Sequence, residues 1–141
     1  MNNTEIEIFK PYSNESISTY MILFRWNDSW GLLKNDEGDI SIPVYPCQPG
    51  STENDIENSM MVEVFRASGV FEFETKPIFD YTCDNGGKKT FGRIYIVALY
   101  GTPSDRTLSF LKTEEMPEKE EGSDFVRELL MSADITAKLY F

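Results

Sequence analysis

The chain contains no histidine, and only two of its 141 residues are cysteines, Cys47 and Cys83. The absence of histidine excludes Ser-His-Asp triads, imidazole metal ligands and the commonest general base in enzymes. Neither cysteine has another cysteine beside it at the spacing of a metal site. A reduced, structural pair is therefore expected rather than a disulfide or half of a metal site.

Basic residues are also scarce, with 13 Lys and Arg against 24 Asp and Glu, so the formal net charge is −11. Such a field repels the phosphate backbone of DNA and RNA and does not favour anionic membranes. It leaves room for a nucleotide-type small molecule where metal ions or a local basic cluster offset the charge. It also favours a basic protein partner, and a homodimer is the remaining partner class.

Long hydrophobic runs are missing as well. The longest, such as 94–100, are far too short to span a membrane. The N-terminal stretch MNNTEIEIFK has neither the basic start nor the apolar core of a signal peptide. The prediction is a cytoplasmic protein with one domain, residues 1–141, which is long enough to bury a proper core.

Alternating and apolar patterns predict a sheet with one helix inserted midway and one at the end. The clearest signal is the turn sequence 84–87, which joins a hairpin. Its second arm is apolar on both sides, so it is expected at the centre of the sheet. The predicted strands are a short edge strand containing Ile6 and Ile8, then 18–26, 30–34, 39–44, 70–83, 88–100 and 107–111; a helix at 125–139 ends the chain.

Residues 55–68 predict an amphipathic helix that ends at Gly69. At 100° per residue one arc is apolar and the opposite side is polar. The apolar arc contains Ile56, Met60, Val64 and Ala67, widened by Met61 and Phe65; the polar side contains Asp55, Ser59, Glu63 and Arg66.

This helix, its glycine and the strand after it resemble the Nudix hydrolases. The motif of that family, aligned back from Gly69 without gaps, falls on Gln48, Asn54, Val62, Glu63, Val64, Arg66, Ala67, Gly69 and Val70. Of these, Glu63, Val64, Gly69 and Val70 fit. The strand and loop at 40–50 also resemble the elements ahead of the motif, with Gly50 as the motif glycine if a local shift is accepted. The resemblance implies an α/β fold, a Nudix-type α/β/α sandwich around a mixed central sheet.

The resemblance also implies a chemistry, hydrolysis of a nucleoside diphosphate linked to another moiety by water on Mg²⁺ or Mn²⁺. Glu63 is then the catalytic residue and a metal ligand, and Glu57 is a second candidate ligand near the helix start. Arg66 and Ala67 stand where the two further metal-binding glutamates belong. Activity is therefore expected to be weak or absent, and Glu63 with Arg66 is alternatively an ordinary surface ion pair.

Three side chains outside the motif are candidate substrate-binding residues. Arg25 and Arg93 lie in predicted strands and could meet a phosphate, although arginines at strand ends more often point to water or pair with acids. Tyr45, like Trp26 and Trp30, could stack on a base or sugar, although packing in the core is the commoner fate of such residues.

The acidic stretch 114–121 is either a late loop that supplies an extra ligand or, more simply, a solvated loop. Two functions thus remain open: a degenerate Nudix hydrolase, and a non-catalytic acidic interaction module, such as an inhibitor or immunity-type protein, that binds a basic protein.

Overall fold

The structure, a computed structural model, describes residues 5–9, 17–48, 50–104, 107–115 and 125–140. Within these ranges eight strands form one mixed sheet, and two sixteen-residue helices cover it. The elements are β1 (Glu5–Phe9), β2 (Thr19–Trp26), β3 (Ser29–Lys34), β4 (Ile40–Ser41), β5 (Val44–Pro46), α1 (Glu53–Ser68), β6 (Phe73–Asn85), β7 (Lys88–Leu99), β8 (Leu108–Leu111), a 3-10 turn (Thr113–Glu115) and α2 (Phe125–Tyr140).

The strands are ordered β1-β6-β7-β2-β3-β4, with β5 paired to β2 and β8 paired to β3. Strands β2 and β7 run parallel and every other pair is antiparallel. The predicted doubly apolar strand is β7, and residues 92–99 are all buried, as expected for a strand covered on both faces.

Each face of the sheet packs against one helix, because side chains alternate between the faces along a strand. On the α1 face, Tyr95 and Val97 of β7 pack with Met60 and Val64. On the α2 face, Ile94 and Ile96 pack with the inner side of α2; the helix residues there are Leu129, Leu130, Ala133 and Ala137. The predicted α/β/α sandwich is confirmed.

The β6–β7 hairpin forms as predicted, but its turn is shorter than the four residues proposed. Only Gly86 and Gly87 lie between the strands, with φ of 65° and 87°. Two consecutive positive φ values suit glycine and define the two-residue turn that matches strand twist. This turn sets the register in which Asp80 lies opposite Arg93.

The strand predicted at 39–44 is wrong as a continuous element. The chain instead breaks between β4, which pairs with β3, and β5, which pairs with β2. Pro43 lies at the break and has no N–H for a ladder, although its carbonyl accepts a hydrogen bond from Ile22 N at 3.1 Å. This change of pairing partner brings Tyr45 opposite Tyr20.

Within the described residues, neither helix is long and apolar enough to cross a membrane.

Candidate functional site

Helix α1 is fixed at both ends by its own sequence. Thr52 caps its start, where Asp55 N donates to Thr52 Oγ1 at 3.2 Å and Thr52 N donates to Asp55 Oδ2 at 3.0 Å. The backbone hydrogen bond from Thr52 is the largest cause that lowers the pKa of Asp55. Gly69 ends the helix with φ of 76°, a conformation that favours glycine. The predicted boundaries therefore hold to within two residues.

The buried side of α1 agrees with the predicted arc at Ile56, Met60, Val64 and Ala67. The two residues predicted to widen that arc do not lie in the core: Met61 is 58% exposed and Phe65 is half-buried. The prediction for Met61 is therefore wrong, because this side chain lies on the solvent side of the helix. Ala67, at a motif glutamate position, is 7% exposed and packs in the core of the α1 face.

Glu63 faces its predicted ion-pair partner rather than other carboxylates. Arg66 Nη1 donates to Glu63 Oε1 at 3.3 Å, and the arginine side chain is 71% exposed. Glu57 lies six positions away, about 240° around the helix, so it does not share the face of Glu63. Within the described ranges, no three Asp, Glu, Cys or His side chains are grouped to hold a metal ion. The donor set around Glu63 does not fit a Mg²⁺ or Mn²⁺ site, which needs several oxygen ligands.

A layer of three tyrosines lies beside Glu63, between α1 and the sheet. The ring of Tyr20 lies 5.5 Å from that of Tyr45 and 6.3 Å, edge-on, from that of Tyr95. The hydroxyls of Tyr20 and Ser59 share a 2.9 Å hydrogen bond that joins the layer to α1. Burial, and then the negative charge of Glu63, raise the pKa of Tyr45 to about 12. The charge of Glu63 acts on Tyr45, so these two predicted site residues share the α1 face of the sheet.

Arg93 lies on the same face of the sheet, but its guanidinium is held by carboxylates. Its Nε donates to Asp80 Oδ1 at 2.6 Å, and its Nη1 donates to Glu53 Oε1. Tyr95 Oη donates to the second oxygen of Glu53 at 3.0 Å. The hydrogen bond to Asp80 raises the pKa of Arg93, against the effect of burial. This group of four, Glu53, Asp80, Arg93 and Tyr95, ties the first turn of α1 to the centre of the sheet.

Arg25 lies on the opposite face of the sheet, so the structure does not bring it together with Glu63. Its Nη1 donates to Asp134 Oδ1 of α2 at 2.6 Å, and its guanidinium lies 4.5 Å from the centre of the Trp30 ring. Asp134 also accepts from Trp30 Nε1 at 2.9 Å and from Thr113 Oγ1 at 2.6 Å. Burial opposes ionisation here, but the hydrogen bonds from Thr113, Arg25 and Trp30 outweigh it and lower the pKa of Asp134.

A cavity of about 420 Å³ opens between the loop before α1 and the first turns of the helix. Its lining includes the motif position Gln48 and the free thiol of Cys47, whose pKa is raised by burial. The described residues that line it are Pro46, Cys47, Gln48, Ser51, Asp55, Ile56 and Ser59. Asp55 is the charged residue among them, so this part of the lining offers hydrogen-bonding groups but no Lys or Arg to receive a phosphate.

Three acidic partners were not predicted from the sequence: Glu53 and Asp80 for Arg93, and Asp134 for Arg25. One of these had a usable signal, because counting back from the Gly86-Gly87 turn pairs Asp80 with Arg93. In the acidic stretch 114–121, Glu114 and Glu115 belong to the 3-10 turn, and 116–121 lie outside the described residues.

Comparison with solved structures identifies the fold. The chain is similar to the pyrophosphohydrolase RppH of Bacillus subtilis, crystallised as a glutamate-to-alanine mutant, with a TM-score of 0.63 and 14% identity over 96% of this chain and 89% of that one. It is also similar to a Nudix-family hydrolase of Clostridium perfringens, with a TM-score of 0.60 and 9% identity over 88% of this chain and 99% of that one. No protein-family model matches the sequence, and comparison with curated proteins gives no match. The chain has the Nudix fold.

Proposed function

We propose that this Nudix-fold chain is a non-catalytic acidic interaction module that binds a basic protein partner. The observation that supports it best is the state of the α1 face. Glu63 pairs with Arg66, and the next motif position is the core residue Ala67. A metal-activated water needs several oxygen ligands, whereas Glu63 is the one carboxylate at the aligned helix positions of the motif and is already paired with Arg66.

The arginines support the same proposal. Arg93 contacts two carboxylates and Arg25 contacts one, and both arginine side chains are only 10% exposed. Moving either arginine to a substrate phosphate would leave a partly or fully buried carboxylate without its partner, which is costly. The substrate-binding roles of Arg25 and Arg93 stay predictions, and the stacking role of Tyr45 stays one too.

The net charge of −11 favours a basic partner. Charges of opposite sign raise the rate and specificity of protein association, and this effect weakens as salt screens the field. A homodimer is a separate prediction, for which two equally acidic surfaces would have to meet.

The second candidate is a weak pyrophosphohydrolase acting on a nucleoside diphosphate linked to another moiety. The fold similarity to RppH and to a Nudix-family hydrolase favours it. It would need Mg²⁺ or Mn²⁺ ligands additional to Glu63.

The two candidates are separated by a metal titration followed through thermal unfolding. An ion that binds the folded state must raise the melting temperature as its concentration increases. We expect no rise from millimolar Mg²⁺ or Mn²⁺ with or without ADP-ribose or nucleoside triphosphates, and no release of phosphate-containing products. Metal-dependent hydrolysis that Glu63→Gln abolishes would overturn the proposal and establish the enzyme.

Binding to a basic partner is tested with a fluorescent 20-residue poly-lysine, with poly-glutamate as the control. We expect poly-lysine alone to bind, and its affinity to fall as the NaCl concentration rises. Equal binding of both polymers, or of neither, would contradict the interaction module.

A further inference from the structure

An apolar patch lies along the outer side of α1 and in the connection that follows it. It consists of Met61, Val62, Phe65 and Phe71, and the name α1 patch is used for these four residues. Met61 is 58% exposed, Val62 49% and Phe71 76%. Contiguous apolar groups of this kind on an otherwise polar surface mark interaction sites.

The patch is ordered by a ring contact rather than being a set of loose side chains. Phe65 and Phe71 are stacked, with ring centres 4.2 Å apart and planes at 20°. Met61 lies one helical turn before Phe65 and therefore extends the same surface. Because Phe71 is held against Phe65, a ligand does not have to order it on binding, which lowers the entropy cost of association.

Three acidic side chains and one basic side chain border this surface. Glu57 is exposed one turn before Met61, and Glu72 is exposed directly after Phe71. Arg66, one turn after Val62, is paired with Glu63, so the border carries a net negative charge. A ligand that covers the patch therefore places its apolar side chains against α1 and its flanking side chains beside carboxylates. A second copy of the chain would instead bring like charges together in a molecule that already carries −11.

We propose that the α1 patch is the docking surface for a basic amphipathic segment of a partner protein, with aliphatic or aromatic residues on one side and Lys or Arg on the other. The proposal rests on the interaction module proposed above and adds the surface and the chemistry of the partner. An amphipathic segment would lie with its apolar side on Met61 and Phe71. Its basic residues would lie beside Glu57 and Glu72.

The test uses fluorescence anisotropy with a labelled 14-residue Leu/Lys peptide of helical periodicity. The controls are a Leu/Glu peptide with the same apolar pattern and a Ser/Lys peptide with the same charge. We expect the intact protein to bind the Leu/Lys peptide at least tenfold more tightly than either control. Equal affinity for the Ser/Lys peptide would refute the α1 patch as the docking surface but not the acidic interaction module. If no basic peptide binds, the interaction module is refuted as well.

The variants are matched for exposure and for charge. Met61→Ser with Phe71→Ser should lower the affinity for the Leu/Lys peptide about tenfold, as expected when an aromatic anchor is removed. Ile135→Ser with Leu139→Ser removes equally exposed apolar groups, 67% and 74%, from α2 and should change nothing. Equal weakening by both pairs would show non-specific apolar binding and overturn the proposal.

A second pair of variants tests the charges around the patch. Glu57→Lys should weaken binding of the Leu/Lys peptide several-fold. Glu128→Lys, the same charge change at an exposed site on α2, should weaken binding less. All the substituted residues are solvent-exposed, so folding should persist, with circular dichroism as the check. An oligomer of the intact protein that the patch variant dissolves would identify a second copy as the occupant and overturn the proposal.

Discussion

Replacing Arg93 with methionine distinguishes a structural arginine from a substrate-binding one. Arg93 contacts Asp80 at the centre of the sheet and Glu53 at the start of α1. Methionine keeps much of the length and the apolar stem but removes the charge and every donor. If Arg93 holds the fold together, Arg93→Met should lower stability strongly, with or without any nucleotide.

The magnitude follows from burial. Asp80 is 1% exposed and the Arg93 side chain 10%, whereas Glu53 is 52% exposed. Removing one partner of a buried pair leaves an uncompensated charge and costs about 3–5 kcal/mol. The contact with half-exposed Glu53 adds at most about 1 kcal/mol, because water screens it. For a chain of this size the melting temperature should fall by roughly 10–20 °C.

The assay is urea unfolding at pH 7, followed by circular dichroism and compared at constant m-value. Arg66→Met is the matched control, because its ion pair with Glu63 lies on the surface and is worth about 0.2–0.5 kcal/mol. Adding Asp80→Asn to Arg93→Met removes the stranded charge and should recover about 2 kcal/mol as coupling energy. The reasoning is refuted if Arg93→Met is as stable as Arg66→Met, or if the double variant is no more stable than the single one.

Three further changes test other parts of the structure. Arg66→Glu with Ala67→Glu should lower the free energy of unfolding by roughly 3 kcal/mol without metal, since position 67 is buried. If the face is a lapsed metal site, Mg²⁺ or Mn²⁺ at a hundred times its Kd should restore about 2.7 kcal/mol. The control is Arg66→Gln with Ala67→Gln, and a metal-dependent rise in Tm no larger than that of this control would contradict a lapsed metal site. The pKa of Asp134 is lowered in the folded protein. Its contribution to folding stability is therefore fully present above the unfolded pKa of about 4 and is lost as the pH falls through the folded pKa. The difference in stability between the intact protein and Asp134→Asn, measured from urea midpoints, should shrink over that pH range, and a constant difference would contradict this. Gly92→Ala would place a Cβ in steric conflict with the Tyr81 ring, so it should lower the free energy of unfolding by about 1–3 kcal/mol. An unchanged Tm would show that the ring can move aside without cost.

Much of the fold was predictable because its signals are local. The Gly86-Gly87 turn fixes the hairpin, Gly69 ends α1, and the two-sided apolar pattern of β7 places it at the centre. The start of α1 was predicted two residues late, because the cap at Thr52 was not recognised. The face of the sheet on which Arg25 lies was not predictable in this way. Strand alternation places Arg25 on the same face as Met21 and Leu23, but the sequence does not show which helix covers that face.

The site was harder to predict than the fold because its contacts are distant along the chain. Arg93 meets Glu53 across 40 positions and Arg25 meets Asp134 across 109. Tyr45 reaches its place only because the chain changes pairing partner at Pro43. Residue type alone indicated that these arginines bind phosphate. In the folded chain their partners are carboxylates from distant positions, which residue type does not reveal.

The parallel pairing of β2 and β7 has a consequence for the order in which the chain folds. Ser18 and Phe91, which bond at the start of this pair, are 73 positions apart. Closing a loop of that length costs about 4 kcal/mol in chain entropy, whereas the hairpin of β6 and β7 closes over two residues. The hairpin should therefore form early and present one bare edge of β7 until β2 arrives. During that interval an unpaired apolar strand faces solvent, so the slowest step in building this sheet is also the one most exposed to aggregation.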